Sequence, residues 1–295
     1  MDSRMTYGPD PVPPPDLARE ASDPVLPPPF GTARSFGGVV VLFILMLLGM
    51  MLVGGAAQFF LGFAANAMLT EVLVVLGPVW FLLRRHGAAE ALRLNVRPDS
   101  GLLAWAILGV LSLAVLVAEF THWSDLVFPM PESVKAAYLD AVTAGSVPEL
   151  LLLVLAAGLV PGICEEAAFR GYFQRVGVER YGTSRGILLA SALFALMHLD
   201  PWHLVALFGI GLYLGMVYLW TGNLWIPAAA HAANNAASVI LLYLAPESTL
   251  SQVSEPPPRW LLPLAAVGLV ATLRHLRRTH RASSSVSPPN QRILS

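Results

Sequence analysis

The stretch Pro161-Gly162-Ile163-Cys164-Glu165-Glu166-Ala167-Ala168-Phe169-Arg170 sits directly after the unbroken apolar run 150–160. Two adjacent carboxylates and an arginine are thereby placed at the end of a segment with no other polar residue. A charge at the centre of a bilayer costs about 2.5–3.5 kcal/mol on insertion scales, and such residues come with partners and a function. Working outward from this decamer means asking what surrounds it and which residues answer its charges.

The surroundings are apolar. The 295 residues are 56% hydrophobic and only 13% charged, with a mean hydropathy of +0.64. Soluble domains carry roughly 25% charged residues. The net charge of −1 gives no electrostatic reason to expect a nucleic-acid partner. Lys135 is the single lysine among 18 basic residues. The one cysteine, Cys164, excludes an intrachain disulfide and a cysteine-cluster metal site. With no local cation to stabilise its thiolate, it reads as a buried structural thiol.

Apolar spans are expected at 36–57, 67–83, 101–118, 147–176, 185–199, 202–220, 224–244 and 260–273. The fold class is therefore all-α: a polytopic membrane helix bundle of about eight transmembrane helices, with the active site inside the bundle. Cations collect after the second, fourth and eighth spans: Arg84, Arg85, Arg93 and Arg97, then Arg175, Arg180 and Arg185, then Arg274, Arg277, Arg278 and Arg281. The alternate loops 119–146 and 245–259 are acidic. This alternation places both termini in the cytoplasm of a cell membrane. Residues 1–35, with two triple-proline runs, are expected as a disordered tail. Residues 36–145 then form an N-terminal membrane unit that includes an interfacial helix at 132–143. Residues 146–245 form the segment with the intramembrane polar residues, which the resemblance described below implies is the catalytic core, 246–282 the last helix with its basic end, and 283–295 a second tail.

Three polar pairs lie inside spans. Glu166 and Arg170 are i,i+4 and share a helix face, which leaves Glu165, turned by about 100°, free for another partner. Glu165 lies 17 residues before Gly182 and His198 lies 16 after it. In an antiparallel hairpin turning at Gly182, the two stand at matching depth, about 25 Å from the turn. Phe194 and His198 share one face, as do His231 and Asn235, with Asn234 alongside. Pro227, one turn before His231, is expected to kink that helix or free a carbonyl. His86, His275 and His280 read as surface residues of basic segments, His122 as a loop residue and His203 as an interface residue. A buried carboxylate opposite a histidine is general-base equipment, and a His/Asn pair supplies oxyanion donors. Together they describe water activation with charge stabilisation, which is amide hydrolysis without a covalent intermediate.

Glu165-Glu166-x-x-x-Arg170, Phe194-x-x-x-His198 and His231-x-x-x-Asn235, in this order on separate helices, resemble the CAAX prenyl protease and bacteriocin-processing family of intramembrane endopeptidases. The resemblance covers residues 148–245. It implies that Glu165 and His198 activate water, that His231 and Asn235 form the oxyanion hole, and that Glu166 and Arg170 hold the geometry. The chain has no H-E-x-x-H. A zinc alternative would use Glu166, His198 and His231, with Glu165 as base; the metal-free mechanism is the favoured one. The expected partners are the lipid bilayer and a membrane-associated peptide or protein substrate. The arginine-, alanine- and proline-rich composition suggests a bacterial source, where prenylated substrates are not expected. Two other classes use similar residues. A non-catalytic scaffold or immunity protein would keep them as packing. A transporter would use them as an ion path, but the repeated halves usual there are not visible.

Overall fold

The computed structural model describes residues 36–84, 88–244 and 256–286. The tail expected at 1–35, His86, and the acidic loop up to 255 lie outside them, as does the chain beyond 286. Among the described residues the structure is helical throughout, with no strand. Nine helices carry the architecture: α1 Gly37–Ala57, α2 Phe63–Leu83, α3 Ser100–Val127, α4 Glu132–Val142, α5 Val147–Tyr181, α6 Thr183–Met197, α7 Leu204–Thr221, α8 Trp225–Leu244 and α9 Leu261–Val286.

Five of these, α1, α2, α3, α5 and α7, are long and apolar enough to cross a membrane. Helices also occupy the other three expected spans, but each falls short for a separate reason. With 15 residues, α6 reaches only about 22 Å. His231, Asn234 and Asn235 dilute α8, and the second half of α9 carries four arginines. That helix continues to Val286 rather than stopping at 273. Arg175, expected in a basic turn, instead lies within α5 and is 3% exposed. The cations of that turn are Arg180 and Arg185.

Local sequence sets the helix ends. Asp99 Oδ1 accepts the Leu102 N–H at 2.9 Å and caps α3. Ser146 Oγ accepts the Glu149 N–H, and Glu149 Oε2 reaches back to the Gly145 N–H, a capping-box arrangement at the start of α5. Gly182, at φ 82°, makes the reversal between α5 and α6. Among the described residues four stretches are wound as π turns, Met50–Gly54, Glu71–Leu76, Val154–Leu159 and Phe169–Gln174. The second and third lie just before a proline, Pro78 and Pro161, whose missing N–H interrupts the regular i→i+4 ladder.

Burial is inverted relative to a soluble protein. Phe59, Phe60, Val127 and Leu52 are largely exposed, whereas Glu165, Glu166, Arg170, Gln174 and His231 are buried. Around α5 the apolar core gathers Phe43 and Met46 from α1, Val75 and Val79 from α2, and Phe194 from α6. A second cluster joins α3, α7, α8 and α9 through Val110, Leu214, Ala230 and Leu276. Small residues set the closest approaches, as membrane helix interfaces require. A Cβ on Gly162 would stand 2.9 Å from the Ala232 nitrogen and 3.0 Å from the Ala228 carbonyl oxygen, so α5 and α8 touch backbone to backbone. Gly186 of α6 meets Val178 and Gly177 of α5 in the same way.

This contrast yields a stability test. In Gly186→Ala the new methyl group runs into the Val178 and Gly177 backbone. The expected loss is about 1–3 kcal/mol, as for other overpacked sites. Gly55→Ala, also helical but with nothing within 4 Å, is expected to hold or gain up to about 1 kcal/mol from helix propensity. Thermal unfolding in detergent micelles, followed by circular dichroism, ranks the two variants against the parent.

Candidate active site

The centre of the bundle is a buried charge cluster. Arg170 Nη1 donates to Glu166 Oε1 at 2.6 Å, one turn apart on α5. Arg170 Nη2 donates to the Gly211 carbonyl on α7 at 2.9 Å. One turn further along both helices, Gln174 Nε2 donates to the Gly215 carbonyl at 2.9 Å. From α8, His231 donates through Nδ1–H to the same Glu166 Oε1 at 3.0 Å. The guanidinium also lies over the Phe194 ring, 4.7 Å from its centroid. Glu166, Arg170 and His231 are 0%, 1% and 3% exposed. Removing one member of such a pair strands the other charge, at a cost of about 3–5 kcal/mol.

Glu165 points elsewhere, as its 100° offset requires. Its Oε2 is buried, has no hydrogen-bond partner and faces His198 Nε2 at 3.9 Å. The imidazole is fixed from behind. His198 Nδ1 stands 2.8 Å from the Phe194 carbonyl oxygen, and a carbonyl only accepts, so Nδ1 carries the hydrogen and Nε2 of the neutral ring is left with a lone pair. Phe194 connects the groups: its ring packs 4.8 Å from His198 and edge-on to His231 at 5.6 Å. His198 is not inside α6 as expected but is its C-cap residue. The chain turns away at Leu199, whose φ is 52°. Asp200 organises that turn, its Oδ1 accepting the Trp202 and His203 N–H groups and its Oδ2 pairing with His203 Nδ1 at 2.7 Å. Burial pushes the Asp200 carboxyl up, but the hydrogen bonds and charge of His203 outweigh this and hold it below its ordinary value.

Asn235 is not in hydrogen-bond contact with His231. Its Nδ2 donates to the Ala157 carbonyl on α5 at 3.1 Å, and its Oδ1 accepts from Asn234 at 3.2 Å. Pro161 explains the first bond. It has no N–H to offer the carbonyl four residues earlier, so a side chain from α8 fills the gap. Pro227 kinks nothing, because it falls in the first turn of α8, where N–H groups have no intrahelical acceptor. His275 and His280 are packing residues rather than free surface: His275 stacks on Trp105 at 4.7 Å, and His280 Nδ1 meets the Trp220 carbonyl. Cys164 is 3% exposed.

One buried acid is new. Glu71 on α2 is 8% exposed, its Oε2 has no hydrogen-bond partner, and it interacts electrostatically with Glu165. It is the one charged residue between Phe63 and Leu83, a signal the sequence did carry. Among the described residues no three His, Cys, Asp or Glu side chains stand as a group able to hold a metal ion. The Glu166 oxygen nearest His231 is already committed to Arg170.

Comparison with known proteins bears on this same region. Residues 147–237, less than half of the chain, match the model of the type II CAAX prenyl endopeptidase Rce1-like family. The "Uncharacterized protein YpbD" of Bacillus subtilis (strain 168) is 36% identical over 90 residues, 29% of this chain and 41% of that relative. The "Putative membrane peptidase YdiL" of the same organism is 26% identical over 195 residues, 63% of this chain and 75% of the relative. The chain thus spans about two-fifths of the first relative's length. No solved structure gives a significant match. The matched segment runs from the start of α5 into α8 and holds Glu165, Glu166, Arg170, His198, His231 and Asn235; over residues 147–237 the chain is similar to the type II CAAX prenyl endopeptidase Rce1-like family.

Proposed function

We propose that this chain is an intramembrane endopeptidase that hydrolyses a peptide bond of a membrane-associated peptide or protein. The observation that carries the reading is the buried, unpartnered Glu165 Oε2 facing His198 Nε2 at 3.9 Å. That gap is too long for a direct hydrogen bond and suits two acceptors that share one water. The family of the matched segment and the relative named as a membrane peptidase support the same class of activity.

In the proposed reaction, water donates its hydrogens toward Glu165 and His198 and its oxygen attacks the carbonyl carbon. Glu165 takes the proton as the C–O bond forms. The tetrahedral oxyanion is met from α8 by His231 and Asn235. Since His231 Nδ1–H is used on Glu166, the side of the ring that meets the oxyanion is Nε2. Asn235 has a second amide hydrogen beyond the one given to Ala157. The C–N bond then breaks, and the proton on Glu165 passes to the leaving amine. Glu166, Arg170 and Phe194 hold these groups in place. No step runs through a metal. With their excess of arginines, the loop after α2 and the turn between α5 and α6 are set on the cytoplasmic side in this reading.

Glu165→Gln and His198→Ala are each expected to abolish cleavage of a substrate in proteoliposomes while thermal stability is kept. Fragments co-purifying with the Glu165→Gln protein would identify that substrate, and cleavage surviving this substitution would sink the mechanism. Hydrolysis by the parent is expected to continue at full rate in a strong chelator, and a loss restored by zinc would reverse the metal-free assignment. His231→Ala and Asn235→Ala are expected to lower kcat by about 10²–10³-fold, the usual effect of removing one oxyanion donor, with KM little changed.

A further inference from the structure

The end of α6 departs from a regular helix at the residue that matters. His198 N donates to the Ala195 carbonyl at 3.4 Å, and Leu199 N donates to the Leu196 carbonyl at 3.2 Å. Both are i→i+3 bonds, the tightened form of a last helical turn. In a regular continuation the His198 amide would bond to Phe194 O. Here that carbonyl is left for the His198 side chain, whose Nδ1–H it accepts at 2.8 Å. The orientation of the imidazole, and the lone pair that Nε2 turns toward Glu165, therefore depend on how the backbone leaves the helix.

The exit conformation is a costly one. Leu199 has φ 52°, in the left-handed region that glycine or asparagine usually supplies at helix ends. Leucine holds such a conformation only where the surroundings over-determine it. Two features do so. Pro201 cannot continue the helix, and it disfavours helical geometry at Asp200. The Asp200 carboxylate clamps the other side of the turn through the Trp202 and His203 N–H groups at 3.0 and 3.1 Å and the His203 ring at 2.7 Å. Trp202, held in this turn, stacks on Phe128 just beyond the end of α3.

We propose that Asp200 is a positioning residue for His198: by clamping the turn it keeps Leu199 left-handed, which frees the Phe194 carbonyl to lock the imidazole with Nε2 toward Glu165. The inference rests on the reading of His198 as the water-activating partner of Glu165. Without Asp200 the strain at Leu199 relaxes, the His198 amide returns to Phe194 O, and the ring loses its anchor.

The experiment reads the imidazole rather than hydrolysis, so the clamp and the protease reading fail separately. The full chain is labelled with ¹⁵N-histidine in lipid nanodiscs, and the His198 signals are assigned by their loss in His198→Gln. The parent is expected to show a single Nδ1-protonated, hydrogen-bonded ring. Asp200→Asn keeps the accepting oxygen and is expected to keep that signature. Asp200→Ala is expected to lose it to a mixture of tautomers. Adding Leu199→Gly to Asp200→Ala is expected to restore it, because glycine takes the left-handed conformation at no steric cost. A signature unchanged in Asp200→Ala, or not restored by Leu199→Gly, overturns the proposal. Should Asp200→Ala not fold, Leu199→Ile, which resists positive φ, reads the same loss, and an unchanged ring there overturns the proposal as well.

Discussion

A carboxylate with no access to water must find its donors inside the protein, and Glu166 finds them on two helices, one of which ties it to a third. Its own helix α5 supplies Arg170, α8 supplies His231, and the arginine's second arm takes a carbonyl of α7. In a low-dielectric interior, losing any of these contacts is expensive. The relative positions of α5, α7 and α8 are therefore constrained at one point, deep in the bundle. Small residues make the constraint satisfiable. Gly162 lets α8 approach closely enough for His231 to reach Glu166, and Gly211 lies under Ser191 and Phe194 of α6. Gln174 and Gly215 repeat the Arg170–Gly211 contact one turn away.

Two other anchors share a different logic. His198 is held by the carbonyl of Phe194, and Asn235 holds the carbonyl of Ala157. In both cases a backbone acceptor has lost its regular amide partner, through a tightened helix end in one and through Pro161 in the other. An unpaired backbone carbonyl is costly in an apolar interior. Placing a polar side chain on it removes that cost and fixes the side chain. The same irregularities that interrupt the helices thus orient the groups that the proposed reaction uses. Phe194 adds the apolar counterpart, touching Arg170, His198 and His231 with one ring.

Much of this was legible in the residues. Apolar runs located the helices, because a bilayer-crossing segment has to be apolar along its whole length. The 3.6-residue period separated Glu165 from the face shared by Glu166 and Arg170, and equal distances from Gly182 put Glu165 and His198 at one depth. Other features were not legible, because they depend on neighbours distant in sequence. Arg175 looks like a loop cation until α5 is seen to run on to Tyr181 and bury it. His275 looks exposed until Trp105 of α3 stacks on it. Glu71 announced itself only as a lone acid in an apolar helix, and its proximity to Glu165 comes from the packing of α2 on α5.

The amino-acid sequence by itself determined which segments are helical and which polar side chains share a helix face, since both follow from local periodicity. It also determined that the chain carries buried charges in need of partners. Only the tertiary structure decided which partners they have. Asn235 turns to Ala157 rather than His231, Leu199 adopts a conformation that leucine does not choose alone, and His198 ends its helix instead of lying within it. Each of these outcomes weighs a local preference against contacts made elsewhere in the bundle, and a single strand of sequence holds only the first side of that balance.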